Sequence, residues 1–192
     1  MYKQIQVTIR SLTILVLVST MAGCVFLFGS SQLVSEEQVA VITTEKGKIV
    51  IELYPDSAPA TVENFQKLIR KKFYDWLTFH RKEATTDLNI IQGGDPDGTG
   101  RGGPGYTIID EYTNPNQRPH LRGTVAMARK PTPNSGGSQF YICLKPQPNL
   151  DGRYTTFGRV IQGMDVVDQL VKGDVMKKVR LEAKSKYVQS NK

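Results

Sequence analysis

The apolar residues of this chain arrive in short packets, and packets of that length fold as strands more readily than as helices. Val39–Thr43, Lys48–Tyr54, Trp76–Arg81, Leu88–Gln92, Gly123–Ala128, Gln139–Leu144, Thr155–Val160 and Val175–Leu181 are the strand candidates. Glu45-Lys46-Gly47-Lys48 divides the first two, which predicts a β-hairpin. Only two stretches carry a helical period. Val62, Phe65 and Leu68-Ile69 recur at that spacing behind Pro59, with Asp56 or Ser57 as the expected cap. Asp165–Leu170 fits a second, shorter helix with Gly173 near its C-terminal end. Most of the 17 glycines and ten prolines fall between residues 93 and 152 without a repeat, which predicts long ordered loops. Many short strands with two separated helices predict a mostly β, closed or nearly closed barrel.

At 192 residues the chain is long enough for one domain with a real core. Its net charge is +7, and +5 remains without residues 1–23, which carry Lys3 and Arg10. That charge suits an anionic membrane or cell-wall surface. A nucleic-acid partner is not expected, because no dense basic run is interleaved with aromatic residues. Lys177–Lys186 reads as a solvated edge strand and tail.

The N-terminus reads as an address. Lys3 and Arg10 precede the apolar run Leu12–Val18, and Ser19-Thr20-Met21-Ala22-Gly23-Cys24 follows. Small residues before a cysteine resemble a bacterial lipobox, which implies cleavage before Cys24 and lipidation of its thiol. Met21 stands where leucine is commonest. Two alternatives are an uncleaved anchor over the uncharged stretch Ser11–Phe28 and ordinary cleavage near Gly29-Ser30. All three put the following domain outside the cytoplasm, tethered in the first two cases to a bacterial membrane. The expected division is a signal or anchor at 1–23, a tether at 24–37, a domain at 38–183 and a polar tail at 184–192. Cys143, the only other cysteine, lies in an apolar strand pattern and reads as a small core residue.

Three segments carry chemistry: Phe79-His80-Arg81, Gln92-Gly93-Gly94-Asp95 and Gly137-Ser138-Gln139-Phe140-Tyr141-Ile142. Together they resemble the active-site signature of the cyclophilin family of peptidyl-prolyl cis/trans isomerases, and the likeness covers about residues 38 to 183. The resemblance implies a closed eight-stranded antiparallel β-barrel capped by two α-helices. It also implies catalysis by Arg81, with Gln92 and Gln139 holding the arginine and the peptide backbone. Ile90, Tyr141, Leu150 and Tyr154 match the residues lining the proline pocket, and Ala128 matches a backbone-binding position beside it. The implied partners are proline-containing unfolded or exported polypeptides. The chemistry is coherent. Resonance sets a barrier of about 18–20 kcal/mol to amide rotation, and X–Pro exchange takes tens to hundreds of seconds. A guanidinium that hydrogen-bonds the twisted amide more strongly than the planar one lowers that barrier.

This chain also departs from the family pattern. The stretch between Arg81 and Gln92 is longer than usual. Asn89 stands where a pocket phenylalanine is usual, with Leu88 available to replace it. The family often has phenylalanine in place of Tyr141. Asn149 stands where many members have tryptophan or phenylalanine, which implies weak cyclosporin binding. These changes keep a second class of function open: a proline-peptide binding or chaperone module with little turnover, whose function would survive Arg81→Ala. A scaffold-only envelope lipoprotein is a third class, disfavoured because a scaffold does not need the Arg/Gln/Gln set.

Other motifs point elsewhere only weakly. Gly98–Gly103 lacks the Lys-Ser/Thr ending of a phosphate loop. His80 and His120, the only histidines, have no zinc-site spacing, and His80 reads as a barrel residue orienting its neighbours. No metal and no cofactor are expected, and nothing suggests an obligate oligomer, so a monomer is expected.

Overall fold

The computed structural model describes residues 36–188. The expected signal segment, Cys24, most of the tether and residues 189–192 lie outside them. Among the described residues no helix is long and apolar enough to cross a membrane. Eight strands form one antiparallel sheet: β1 (Gln38–Thr43), β2 (Lys48–Leu53), β3 (Arg81–Ala84), β4 (Asn89–Gly93), β5 (Thr124–Met127), β6 (Phe140–Cys143), β7 (Thr156–Gln162) and β8 (Lys178–Ala183). Their order is β3-β4-β6-β5-β7-β2-β1-β8. Two helices, α1 (Pro59–Arg70) and α2 (Met164–Gln169), complete the mostly β fold.

Strand alternation decides where the core lies. Ile91, Val125, Met127, Phe140 and Ile142 point into the main apolar cluster, together with Ile42, Ile49 and Ile51 from the β1–β2 hairpin. Val62, Phe65, Leu68 and Ile69 of α1 enter the same cluster, as their spacing predicts. Phe65 is fully buried, with ring centroids 5.1 Å from Tyr74, 5.4 Å from Phe140 and 5.1 Å from Phe157. Burying one such ring contributes about 1.5–3 kcal/mol.

The start of α1 corrects the expected cap. The residue in the cap position is Ala58, and it makes no side-chain cap. Asp56 is drawn to Arg118 (3.1 Å), and the Ser57 hydroxyl donates to Thr156 O (3.4 Å). The free N–H groups of Ala60 and Thr61 instead donate to the Glu111 carboxylate, at 3.0 and 2.8 Å. The Thr61 hydroxyl adds a third bond to it, at 2.7 Å. A distant carboxylate thus satisfies donors that no local residue serves.

Closure of the barrel is achieved differently from a full ladder. The edge strands β3 and β8 do not pair with each other. The chain just before each of them does the joining, through a single bridge between Thr78 and Val175. Trp76 N–H donates to Met176 O (2.7 Å), Met176 N–H to Leu77 O (2.8 Å) and Phe79 N–H to Asp174 O (2.9 Å). Trp76 has a left-handed backbone (φ 68°) and an exposed ring, so the expected strand Trp76–Arg81 is interrupted and β3 starts only at Arg81. The expected closing strand at Val175–Leu181 likewise starts later, at Lys178.

The first residues of the expected polar tail make contacts to the sheet. Lys184 lies 2.7 Å from both Glu37 and Glu52, and those two contacts raise its pKa. Tyr187 donates its hydroxyl to Glu182 (2.9 Å). Tyr187 also packs against the apolar cluster of Val39, Val41 and Val50.

Candidate active site

The register of four strands builds the site. Arg81 pairs with Gln92, Gln92 with Tyr141, and Tyr141 with Ala126. Directly paired residues share one face of a sheet. These four side chains therefore stand in a row across β3, β4, β6 and β5, on the face opposite the core. Ile90 and Cys143 pair in the next row. A close crossing keeps the neighbouring loop against this row. Gly94 has φ +88°, and a side-chain carbon there would sit 2.4 Å from Ser138 O. Only glycine allows that approach, which brings Gln139 beside Gln92.

A hydrogen-bonded chain then runs through the polar members. Gln139 donates to Gly102 O (2.9 Å), Gln92 donates to Gln139 Oε1 (2.9 Å), and Arg81 Nη1 donates to Gln92 Oε1 (3.4 Å). Arg81 Nε donates to Glu83 (3.0 Å). Among the described residues nothing bonds Arg81 Nη2, so one edge of the fork remains available. The loop that supplies Gly102 O is held by Asp95, which accepts from the N–H groups of Asp97 (2.9 Å) and Gly100. Burial opposes the Asp95 charge, yet these bonds leave its pKa below the usual carboxylate value.

The apolar members form a second cluster, separate from the core. Ile90, Ala126, Tyr141 and Cys143 are buried, and Leu88, Ala128, Leu150 and Tyr154 pack against them. All five residues expected at the pocket, Ile90, Ala128, Tyr141, Leu150 and Tyr154, line one cleft of about 440 Å³ together with Arg81, Gln92 and Gln139. Ala128 spends its N–H inside the fold, on Gln139 O (2.9 Å). Phe140 is core, as expected. Leu88 does line the cleft. The reason is parity: Leu88, Ile90 and Gln92 alternate onto one face, whereas Asn89 is buried on the other and donates to Thr85 O. Asn149 is exposed and donates to Asp87 O (3.2 Å).

Several contributors escaped the sequence reading. Glu83 lies two residues beyond Arg81 on the same strand face; a strand starting at Arg81, rather than ending there, would have exposed it. Arg129 lies with its guanidinium 5.1 Å from the Tyr154 ring, and Arg101 and Lys130 line the cleft. His120 sits behind Tyr141, with Nε2 3.1 Å from the phenol oxygen. Burial pushes the Tyr141 phenol well above its ordinary pKa, with smaller contributions from Cys143 and other neighbours. Burial, then Asp151, pushes the Cys143 thiol up to about 12, so it stays protonated and inert. The cleft therefore offers hydrogen-bond donors and acceptors beside an apolar floor, an arrangement that binds and polarises a backbone.

The chain is similar to known proteins. Residues 39–190 match the family model described as cyclophilin type peptidyl-prolyl cis-trans isomerase/CLD. The chain is 50% identical over 135 residues to peptidyl-prolyl cis-trans isomerase B of Bacillus subtilis (strain 168), covering 70% of this chain and 91% of that protein. It is 47% identical over 144 residues to a peptidyl-prolyl cis-trans isomerase of Synechococcus elongatus, covering 74% of this chain and 94% of the relative. Its fold resembles a cyclophilin-type isomerase of Cryptosporidium parvum, crystallised in the presence of the dipeptide Ala-Pro, with a TM-score of 0.66 and 30% identity. That match covers 75% of this chain and 98% of the other.

Proposed function

This chain belongs to the cyclophilin-type peptidyl-prolyl cis-trans isomerase family and is an isomerase of X–Pro bonds; from that premise we propose how and where it acts. Arg81 is the catalytic residue. An X–Pro segment lies in the cleft with its proline ring on Tyr141, walled by Leu88, Ile90, Leu150 and Tyr154. Gln92 and Gln139 bind its backbone. As the amide twists, its nitrogen regains a lone pair, and the open edge of the Arg81 guanidinium donates to it. Glu83 and Gln92 fix the orientation of that edge beforehand, so little reorganisation is needed at the transition state. The observation that carries this reading is the row Arg81–Gln92–Tyr141 across three adjacent strands, which sets the cation beside the apolar floor.

Arg81→Ala is expected to lower kcat/KM roughly 10²–10³-fold, the range for loss of one pre-aligned donor. Arg81→Lys, which keeps the charge and loses the fork, should recover little of it. Unchanged rates in both variants would remove Arg81 from the mechanism. The exposed Asn149, with no aromatic ring to offer, supports the reading that cyclosporin binds weakly.

The clients are exported or envelope proteins, and the enzyme is held at the outer face of a bacterial membrane through a lipid on Cys24. Newly exported chains arrive unfolded, where X–Pro exchange limits folding. The support is the sequence before residue 25, with its basic start, apolar run and small residues ahead of Cys24. Metabolic labelling with a fatty acid should mark the full chain and be lost in Cys24→Ala; labelling that survives this change would refute the lipid anchor.

A further inference from the structure

A residue that lines no part of the cleft holds two of its walls. His120 is 1% exposed and makes four polar contacts. Its backbone N–H and its ring Nδ1 both meet Asp151 Oδ1, at 2.8 and 2.7 Å. Its carbonyl accepts from Gln147 N–H (2.7 Å), and its Nε2 faces the Tyr141 hydroxyl (3.1 Å). Gln147 and Asp151 bracket the 3-10 turn Pro148–Leu150, whose last residue is a cleft wall. Tyr141 is the cleft floor. One side chain therefore ties the floor, on β6, to the turn that carries Leu150.

The direction of each bond follows from the partners. Asp151 Oδ1 is the acceptor for the His120 backbone N–H as well, so the ring Nδ1 that meets the same oxygen carries the proton and donates. Nε2 of the neutral ring is then an acceptor, and the Tyr141 hydroxyl donates to it. The phenol proton points away from the cleft, and a bound peptide meets only the ring. Ring contacts complete the arrangement. Tyr141 is stacked on His120 at 15° and 6.1 Å, and meets Tyr154 edge-on at 82° and 5.9 Å. Tyr141 is itself 3% exposed, so its hydroxyl has no solvent to fall back on if His120 is lost.

We propose that His120, held by Asp151, is a positioning residue for proline binding: it fixes the Tyr141 floor and the Leu150 turn. The inference rests on the reading of the Tyr141 cleft as the proline site. His120 has no bond to Arg81, Gln92 or Gln139, so its loss removes binding that is equal in the ground and transition states. That raises KM and spares kcat.

The test uses steady-state X–Pro isomerisation by the full chain in detergent. His120→Phe should raise KM roughly tenfold with kcat within about twofold, as expected for loss of uniform binding. The double variant His120→Phe/Tyr141→Phe, which removes the stranded hydroxyl but leaves the ties to Asp151 and to the floor broken, should keep KM raised. A fall in kcat at unchanged KM, no change in KM, or a KM restored in the double variant would each overturn the proposal. If His120→Phe does not fold, long-range ¹H–¹⁵N NMR of the unmodified chain decides. Near neutral pH, His120 must show a protonated Nδ1 and a bare Nε2; the opposite tautomer or an imidazolium would refute the clamp. Arg81→Ala, run alongside, separates the two ideas. An active Arg81→Ala fails the site reading, whereas an inactive one with a normal His120→Phe fails only the clamp.

Discussion

Leu88, just before β4, and Asn89, its first residue, face opposite ways, and that one-residue parity decides whether the cleft has an aliphatic wall or an amide. Alternation made this legible: Leu88 is the residue available to stand in for Asn89, and it does line the cleft. The buried histidines were less legible, because sequence gives their number but not their surroundings. Both ring nitrogens of His80 are buried without a protein partner. Burial lowers the pKa of His80, against the opposing pull of Asp95, and burial likewise lowers that of His120, against its bond to Asp151. The sign follows directly. Below a histidine's ordinary value of about 6.5, the unfolded chain takes up protons that the folded chain refuses, so stability falls as pH drops. Asp75, Asp95, Asp168 and Asp174 are held below their ordinary value, and their contribution is present above it and lost as pH falls below about 4. Thermal midpoints should therefore decline in two stages on acidification, one below about pH 6.5 and one below about pH 4. A midpoint that rises between pH 7 and pH 5 would contradict this account.

At the scale of elements, the β1–β2 hairpin, α1 and the apolar strands were readable because each repeats a local period. The cap of α1 was not, since the group that supplies it lies 50 residues further along the chain. Local candidates Asp56 and Ser57 had other partners waiting, and no sequence period records that competition. The Glu111 carboxylate takes three hydrogen bonds at the positive end of α1. Its own backbone N–H is fixed by the Thr155 hydroxyl (2.9 Å), which ties the helix, this loop and the start of β7 together. Glu111→Ala should destabilise the fold by about 1–2 kcal/mol, the usual cost of a lost helix cap. Urea titration reads this as a lower midpoint at unchanged slope. A midpoint equal to the parent's would mean that solvent replaces the carboxylate without cost.

Residues 36–188 form a barrel whose joint lies in irregular chain. The residues before β3 and β8 close it, so the edge that begins at Arg81 stays free of a ladder partner on its far side. The barrel was legible from the count of short apolar packets, but the joint was not, because a left-handed Trp76 leaves no periodic trace. The polar set of the site was legible as a resemblance; the register sets Arg81 beside Gln92, and the Gly94 crossing brings in Gln139. Arg81, as proposed above, acts on the twisted amide and not on peptide affinity. The most direct measurement is two-dimensional exchange NMR of an Ala-Pro peptide with catalytic amounts of protein, with affinity taken from titration of the same samples. Arg81→Ala should bind the peptide within a few-fold of the parent while cis–trans exchange collapses. Exchange that falls only in proportion to lost binding would contradict it.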